Sequence, residues 1–209
     1  MSMTCWMVGL SARQAVALRA APPLAGDLAM AVQEDQLLAE ALAHLPPEAR
    51  PAAEARMRGA MARASDSSGG RSRIVQLGPL EPALDLQKSW HMLHYLLTGH
   101  ADMAPASGDV ILGGEPLGDD LGYGPARLID TAATKAFAGF LARQDLAQLQ
   151  ARIDIPLMER SHVYGLPIGV GEAEARADVG REVAWSFPAL KAYVDARAAA
   201  GDGLLTWIS

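Results

Sequence analysis

An α+β fold is predicted: a small mixed β-sheet, its N- and C-terminal strands central, covered by several helices. Two observations carry this. Residues 4–10 (TCWMVGL) and Leu204–Ile208 are short runs that are apolar on both faces, as strands in the interior of a covered sheet are. Between them strand candidates are few, while apolar spacings of three and four residues are many. With 209 residues, half of them hydrophobic, the chain can bury one sizeable core. A single domain over 1–209 is expected, because the pieces flanking the polar stretch 65–72 (SDSSGGRS) are too small to fold separately and no internal repeat occurs.

In the first strand Cys5 and Met7 point one way, and Trp6, Val8 and Leu10 the other. Cys5 then reads as a small buried hydrophobe. Ser11 and Gln14 fit a capping box and start a helix that ends before Pro22-Pro23. A second helix covers roughly Asp27 to His44, with Leu28, Val32, Leu37, Leu38 and Leu42 as apolar positions, and an Ala-rich third spans about 51–64. Residues 65–72 read as a flexible loop, followed by a short strand at Ile74–Leu77. In the helix expected over Leu84–Leu97, Leu86, Trp90, Leu93 and Leu97 form one stripe. Lys88, His91 and Tyr95 lie opposite it, and Gly99 is the stop. Asp109–Leu112 reads as a strand and Leu117–Arg127 as a turn-rich stretch. A helix capped by Asp130 or Thr131 follows, with Phe137, Phe140 and Leu141 on its core side, then another at about 145–152. Residues 154–171 read as irregular. Phe187–Ala200 reads as a helix with Pro188 in its first turn, before Gly201-Asp202-Gly203 turns the chain into the last strand.

The net charge of -6 argues against whole-surface binding to nucleic acid or anionic lipid. One cysteine allows no intrachain disulfide. The opening residues carry neither a positive n-region nor a long apolar run, and no 18-residue apolar stretch occurs. A cytoplasmic protein with no membrane association is therefore expected.

Four segments together resemble one family: MTCWMVGLS at the start, LQKSWHMLHYLLTG (86–99), LGYGPARLI (121–129) and GLLTWIS (203–209). They are similar to the YfbM-like family of bacterial proteins, a domain of unknown function. The resemblance implies a small α+β domain in the bacterial cytoplasm and brings no activity, cofactor or catalytic residue. Near Tyr164 the chain departs from the family pattern of a Tyr-Pro pair followed by a Trp, and reads Tyr164-Gly165.

His91 and His94, three apart on a helix, can point toward a common metal, with Asp119, Asp120 or His162 as a third ligand. The pattern lacks H-E-x-x-H, and His94 reads better as a satisfied core histidine, so no metal is assigned. No cofactor is assigned either: there is no Walker loop, and Gly113-Gly114 lacks a dinucleotide-binding context. Arg56, Arg58, Arg63, Arg71 and Arg73 cluster without aromatics and read as a solvated helix face, not a nucleic-acid site. Ser89 is not on a nucleophile elbow. Tyr123-Gly124-Pro125-Ala126-Arg127 is a rigid turn ending in a cation. That cation can either fork onto an anion or staple the turn to Asp119 or Asp120.

Two functional readings stand side by side. The favoured one is a binding or interaction protein, of an accessory or immunity type, docking on a partner protein. The other is a small enzyme or small anionic-ligand binder. Its cleft would lie between the Lys88/His91/Tyr95 helix face and the Tyr123–Arg127 turn. A concave site holding both segments separates the two.

Overall fold

The computed structural model describes residues 3–65, 74–103 and 111–209, without the side chains of 62–65 and 75. The elements in chain order are β1 (Cys5–Leu10), α1 (Ala12–Ala20), α2 (Leu24–Ala43), α3 (Arg50–Ser65), β2 (Leu84–Asp85), α4 (Trp90–Thr98), β3 (Glu115–Asp120), β4 (Pro125–Ile129), α5 (Thr131–Ala142), α6 (Leu146–Ala151), α7 (Ile155–Arg160), α8 (Glu172–Ala200) and β5 (Gly203–Ile208). The strands form one sheet in the order β2-β1-β5-β4-β3.

The α+β class holds, and the two terminal strands are central neighbours. They pair over their whole length, from Cys5 opposite Ile208 to Leu10 opposite Gly203. Both are apolar on two faces because helices cover both sides. Cys5, Met7 and Leu204 face a core built with α4, α5 and α8, whereas Trp6, Val8, Leu10, Leu205 and Trp207 face one built with α1 and α2. Trp6 and Trp207 stack in the second core, with centroids 6.3 Å apart. Cys5 is fully buried, and loss of hydration pushes its thiol pKa far up, so it behaves as the small hydrophobe expected.

The sheet is antiparallel at every pairing, not mixed. A tight turn joins β3 to β4, and α8 delivers the chain to β5 beside the end where β1 leaves.

The capping box forms as expected. The Ser11 amide donates to the Gln14 side chain at 2.8 Å, and the Gln14 amide donates to the Ser11 hydroxyl at 3.4 Å. Asp130 and Asp145 cap α5 and α6, accepting from Ala133 N and Gln148 N.

Other expectations are corrected. The run Leu84–Leu97 is not one helix: Leu84-Asp85 is an edge strand on β1, and the Asp85 carboxylate accepts from the Gln87 amide at 2.7 Å. That turn, with Gln87 at a φ of 48°, delays the helix to Trp90. Ile74–Leu77 is a helical turn, not a strand; Ile74 and Leu77 anchor it in the core, and the buried Gln14 amide donates to Leu77 O and Pro79 O. Ile111-Leu112 is a bend, and the rest of the Asp109–Leu112 strand lies outside the described residues, as does most of the 65–72 loop. The turn-rich stretch is a hairpin whose strand β3 tolerates Pro116 because it is an edge. Residues 155–160 are helical, capped by Asp154 with Pro156 in the first turn.

The last helix begins fifteen residues before the expected Phe187, at Glu172, so Pro188 is internal. A proline inside a helix costs about 3 kcal/mol. The buried stripe of Ala175, Val179, Val183, Phe187, Leu190 and Val194 runs along both sides of it and offsets that cost.

Trp207 is 2% exposed in a central strand. Replacing it with alanine is expected to cost about 3–5 kcal/mol, read from denaturant unfolding. A variant as stable as wild type contradicts the packing described.

Candidate functional site

Helix α4 is not amphipathic. Seven of its residues, Trp90 and Met92–Leu97, are buried, so the polar stripe expected opposite Leu86, Trp90, Leu93 and Leu97 does not reach solvent. Tyr95 is a core residue. Lys88 precedes the helix in a 3-10 turn and faces other grooves. Of the three, only His91 opens on the cavity beside the β3–β4 hairpin. Gly99 ends the helix as expected, with a φ of 79°.

That cavity, about 520 Å3, lies between the start of α4 and the β3–β4 hairpin. His91, Tyr123 and Arg127 all line it, together with Trp90, Thr206, His162 and Tyr164. Three of the five residues singled out as a candidate site thus come together, and Lys88 and Tyr95 do not.

Arg127 arrives there through strand alternation. Its neighbours Ala126 and Leu128 belong to the α1–α2 core, which turns Arg127 to the opposite face. Across the sheet it sits directly opposite Thr206. Its guanidinium donates to the Gly114 carbonyl at 3.2 Å, and no carboxylate pairs with it among the described residues. The alternative in which Arg127 staples the turn to Asp119 or Asp120 is therefore corrected. Asp120 does that work itself, accepting from Gly122 N at 2.7 Å and Gly124 N at 3.0 Å. Most of the Arg127 fork stays uncommitted.

His91 is held by two hydrogen bonds. Its Nδ1 accepts from Tyr164 N at 2.8 Å, which puts the proton on Nε2 for donation to Ala101 O at 2.8 Å. Its ring stacks on Trp90 at 4.6 Å. Burial lowers its pKa, outweighing the hydrogen bond to Ala101 that favours the charged form. With both nitrogens engaged, His91 positions the walls around it and lacks a free lone pair for a metal. The buried His94 is a core histidine whose Nε2 donates to Asp102 O, 2.9 Å away. Among the described residues no group of three metal-capable side chains gathers.

The departure at Tyr164-Gly165 also has a physical basis. Gly165 has a φ of 87°, and a Cβ there would lie 2.9 Å from Lys88 O. Proline cannot adopt that angle. The turn directs Tyr164 N to His91 and its hydroxyl to Met3 N, which donates at 3.0 Å.

Two further wall residues escaped the sequence reading. Trp90 Nε1 and Thr206 Oγ1 are buried without a hydrogen-bond partner. Thr206 had a signal: it is the polar residue in a strand read as apolar on both faces. Trp90 had none beyond its place in a core stripe. The basic cluster on α3 carries no such feature: Arg58 pairs with Asp35 and Glu54 at 2.9 Å, and Arg63, Arg71 and Arg73 lie outside the described side chains.

The model of the domain of unknown function DUF1877 matches residues 1–207. The chain belongs to the DUF1877 family. This DUF1877 chain is also similar in fold to the crystal structure of YfbM from Escherichia coli, a protein of unknown function, at 17% identity and a TM-score of 0.57, with 99% of each chain covered. No curated protein matches it. Among its described residues no helix is long and apolar enough to cross a membrane.

His91 yields a pH prediction. Its folded pKa is below the unfolded value of about 6.5. As pH falls through that value the unfolded chain takes up a proton that the folded one refuses, so stability is full above it and declines below. Wild type is expected to lose more melting temperature between pH 7.5 and 5.5 than His91→Gln. Equal losses count against a buried neutral imidazole.

Proposed function

We propose that this protein binds a small anionic ligand, in the bacterial cytoplasm, with Arg127 as the anchoring cation. What supports the reading is that His91 of α4 and Tyr123 and Arg127 of the hairpin share one cavity, although the segments are some thirty residues apart. A volume near 520 Å3 falls in the range of small-molecule sites, about 300–1,000 Å3. Arg127 brings a charge that no described carboxylate neutralises, at the edge of apolar walls that strengthen its field. Tyr123 stands exposed at the rim, and His91 fixes the opposite wall. We assign no catalytic role to His91, one of two imidazoles that line the cavity, because both its nitrogens are already committed.

Docking on a partner protein is the second reading. Ile168 and Val170 favour it: they stand exposed on the 161–171 segment, and Ile168 is 95% accessible.

A stability screen against phosphates, nucleotides and carboxylates tests the proposal, run on wild type and Arg127→Ala. A ligand at a hundredfold excess over its Kd adds about 2.7 kcal/mol, roughly 5–10 °C for a chain of this size. The shift is expected in wild type and not in the variant. Equal shifts place the site elsewhere, and no shift with any compound favours docking.

A further inference from the structure

Resting on the anion-binding reading, we propose that the ligand is a monocarboxylate on an apolar body, its carboxylate seated at the cross-strand pair Arg127–Thr206. The charge count in the cavity comes first. Among the described lining residues Arg127 is the only arginine or lysine, and Asp102 lines the same space. Lys88, the other cation considered, faces different grooves. A single negative charge is matched by Arg127; a phosphate monoester would bring a second, which no lysine or arginine of the cavity answers, toward an acidic side chain.

The lining also specifies the body. Met3, Ile111, Leu112 and Ile208 contribute apolar surface, and Trp90 and Tyr164, stacked 6.4 Å apart, add aromatic surface. A nucleotide or sugar phosphate would leave most of its hydroxyls against these groups without partners. A hydrocarbon or aryl body loses nothing there.

The head-group position follows from register. Arg127 and Thr206 are direct partners on neighbouring strands and lie on the same face. Thr206 is 1% exposed, and its hydroxyl has no partner. Such a group is an uncompensated cost in the ligand-free protein. With a small shift of the wall that covers it, this hydroxyl donates to one carboxylate oxygen while the guanidinium donates to the other, which removes that cost and uses the fork that Gly114 leaves open.

A head-group series on one body tests this by calorimetry: 2-naphthoate, 2-naphthyl phosphate and 2-naphthalenemethanol, with acetate as a body-free control, on wild type, Arg127→Met and Thr206→Val. The carboxylate is expected to bind at least tenfold more tightly than the phosphate ester or the alcohol, and acetate at least a hundredfold more weakly than the naphthoate. Arg127→Met should abolish the preference over the alcohol. Thr206→Val should weaken naphthoate about fivefold while leaving the melting temperature unchanged or higher, as loss of an unsatisfied hydroxyl does; a purely structural threonine would change stability alone. Tight binding of the phosphate ester overturns the monocarboxylate but keeps the anion site. Unchanged naphthoate affinity in Thr206→Val overturns the seat. Alcohol and carboxylate binding equally, or no binding by any compound, overturns the anion reading and this inference with it.

Discussion

The pairing of β1 with β5 is the constraint on which the rest depends. Six residues from each end of the chain match one to one, in strands buried on both faces. A slip of one residue would carry Trp6, Val8 and Leu10 into the α8 core, and Cys5 and Met7 into the α1–α2 core. Since each core is filled by its own set of side chains, register is fixed from both sides at once. β5 then sets β4, and β4 sets the hairpin. The place of Arg127 in the cavity is thus decided by two residues from opposite ends of the chain, Met7 and its partner Thr206, as much as by its own turn.

This dependence explains what could be read from the sequence. Cys5/Met7 against Trp6/Val8/Leu10 is period two with both phases apolar, and so it announces an interior strand wherever it occurs. The capping residues Ser11 and Asp130 act within four residues of themselves and were equally plain. Features decided at long range were not. β2 is two residues long and exists because β1 offers an edge. β3 carries Pro116, Gly118 and two aspartates, a turn composition, and is a strand because β4 pairs with it. Pro188 looks like a helix start, and is not, because the core beyond it continues the same stripe. One miss was avoidable: Asp154 followed by Pro156 is a local helix-start signature, an N-cap aspartate like Asp130 with a proline in the first turn.

The site was legible in part, for the same reason. His91 and Arg127 were visible as unusual residues in a distinctive setting. Lys88 and Tyr95 were grouped with them by a helical spacing that the Asp85 turn interrupts, and by the assumption that a helix with one apolar stripe has a polar side. Helix α4 is packed against the sheet on one side and α8 on another, so its polar side chains turn inward to bond backbone carbonyls. Nothing within α4 announces that it is surrounded.

The position of β5 also bears on how the molecule comes into being. Among the strands it is the last in chain order, yet it lies between β1 and β4. Until it is made, the sheet consists of two unconnected pairs, β2–β1 and β4–β3, each with an open inner edge. The β1–β5 half of the junction pairs residues about two hundred positions apart, an arrangement that folds slowly because loop closure must precede any gain. During synthesis on the ribosome the nascent chain therefore exposes one sticky strand edge from β1 onward and a second once β4 is made, and a single later segment seals both.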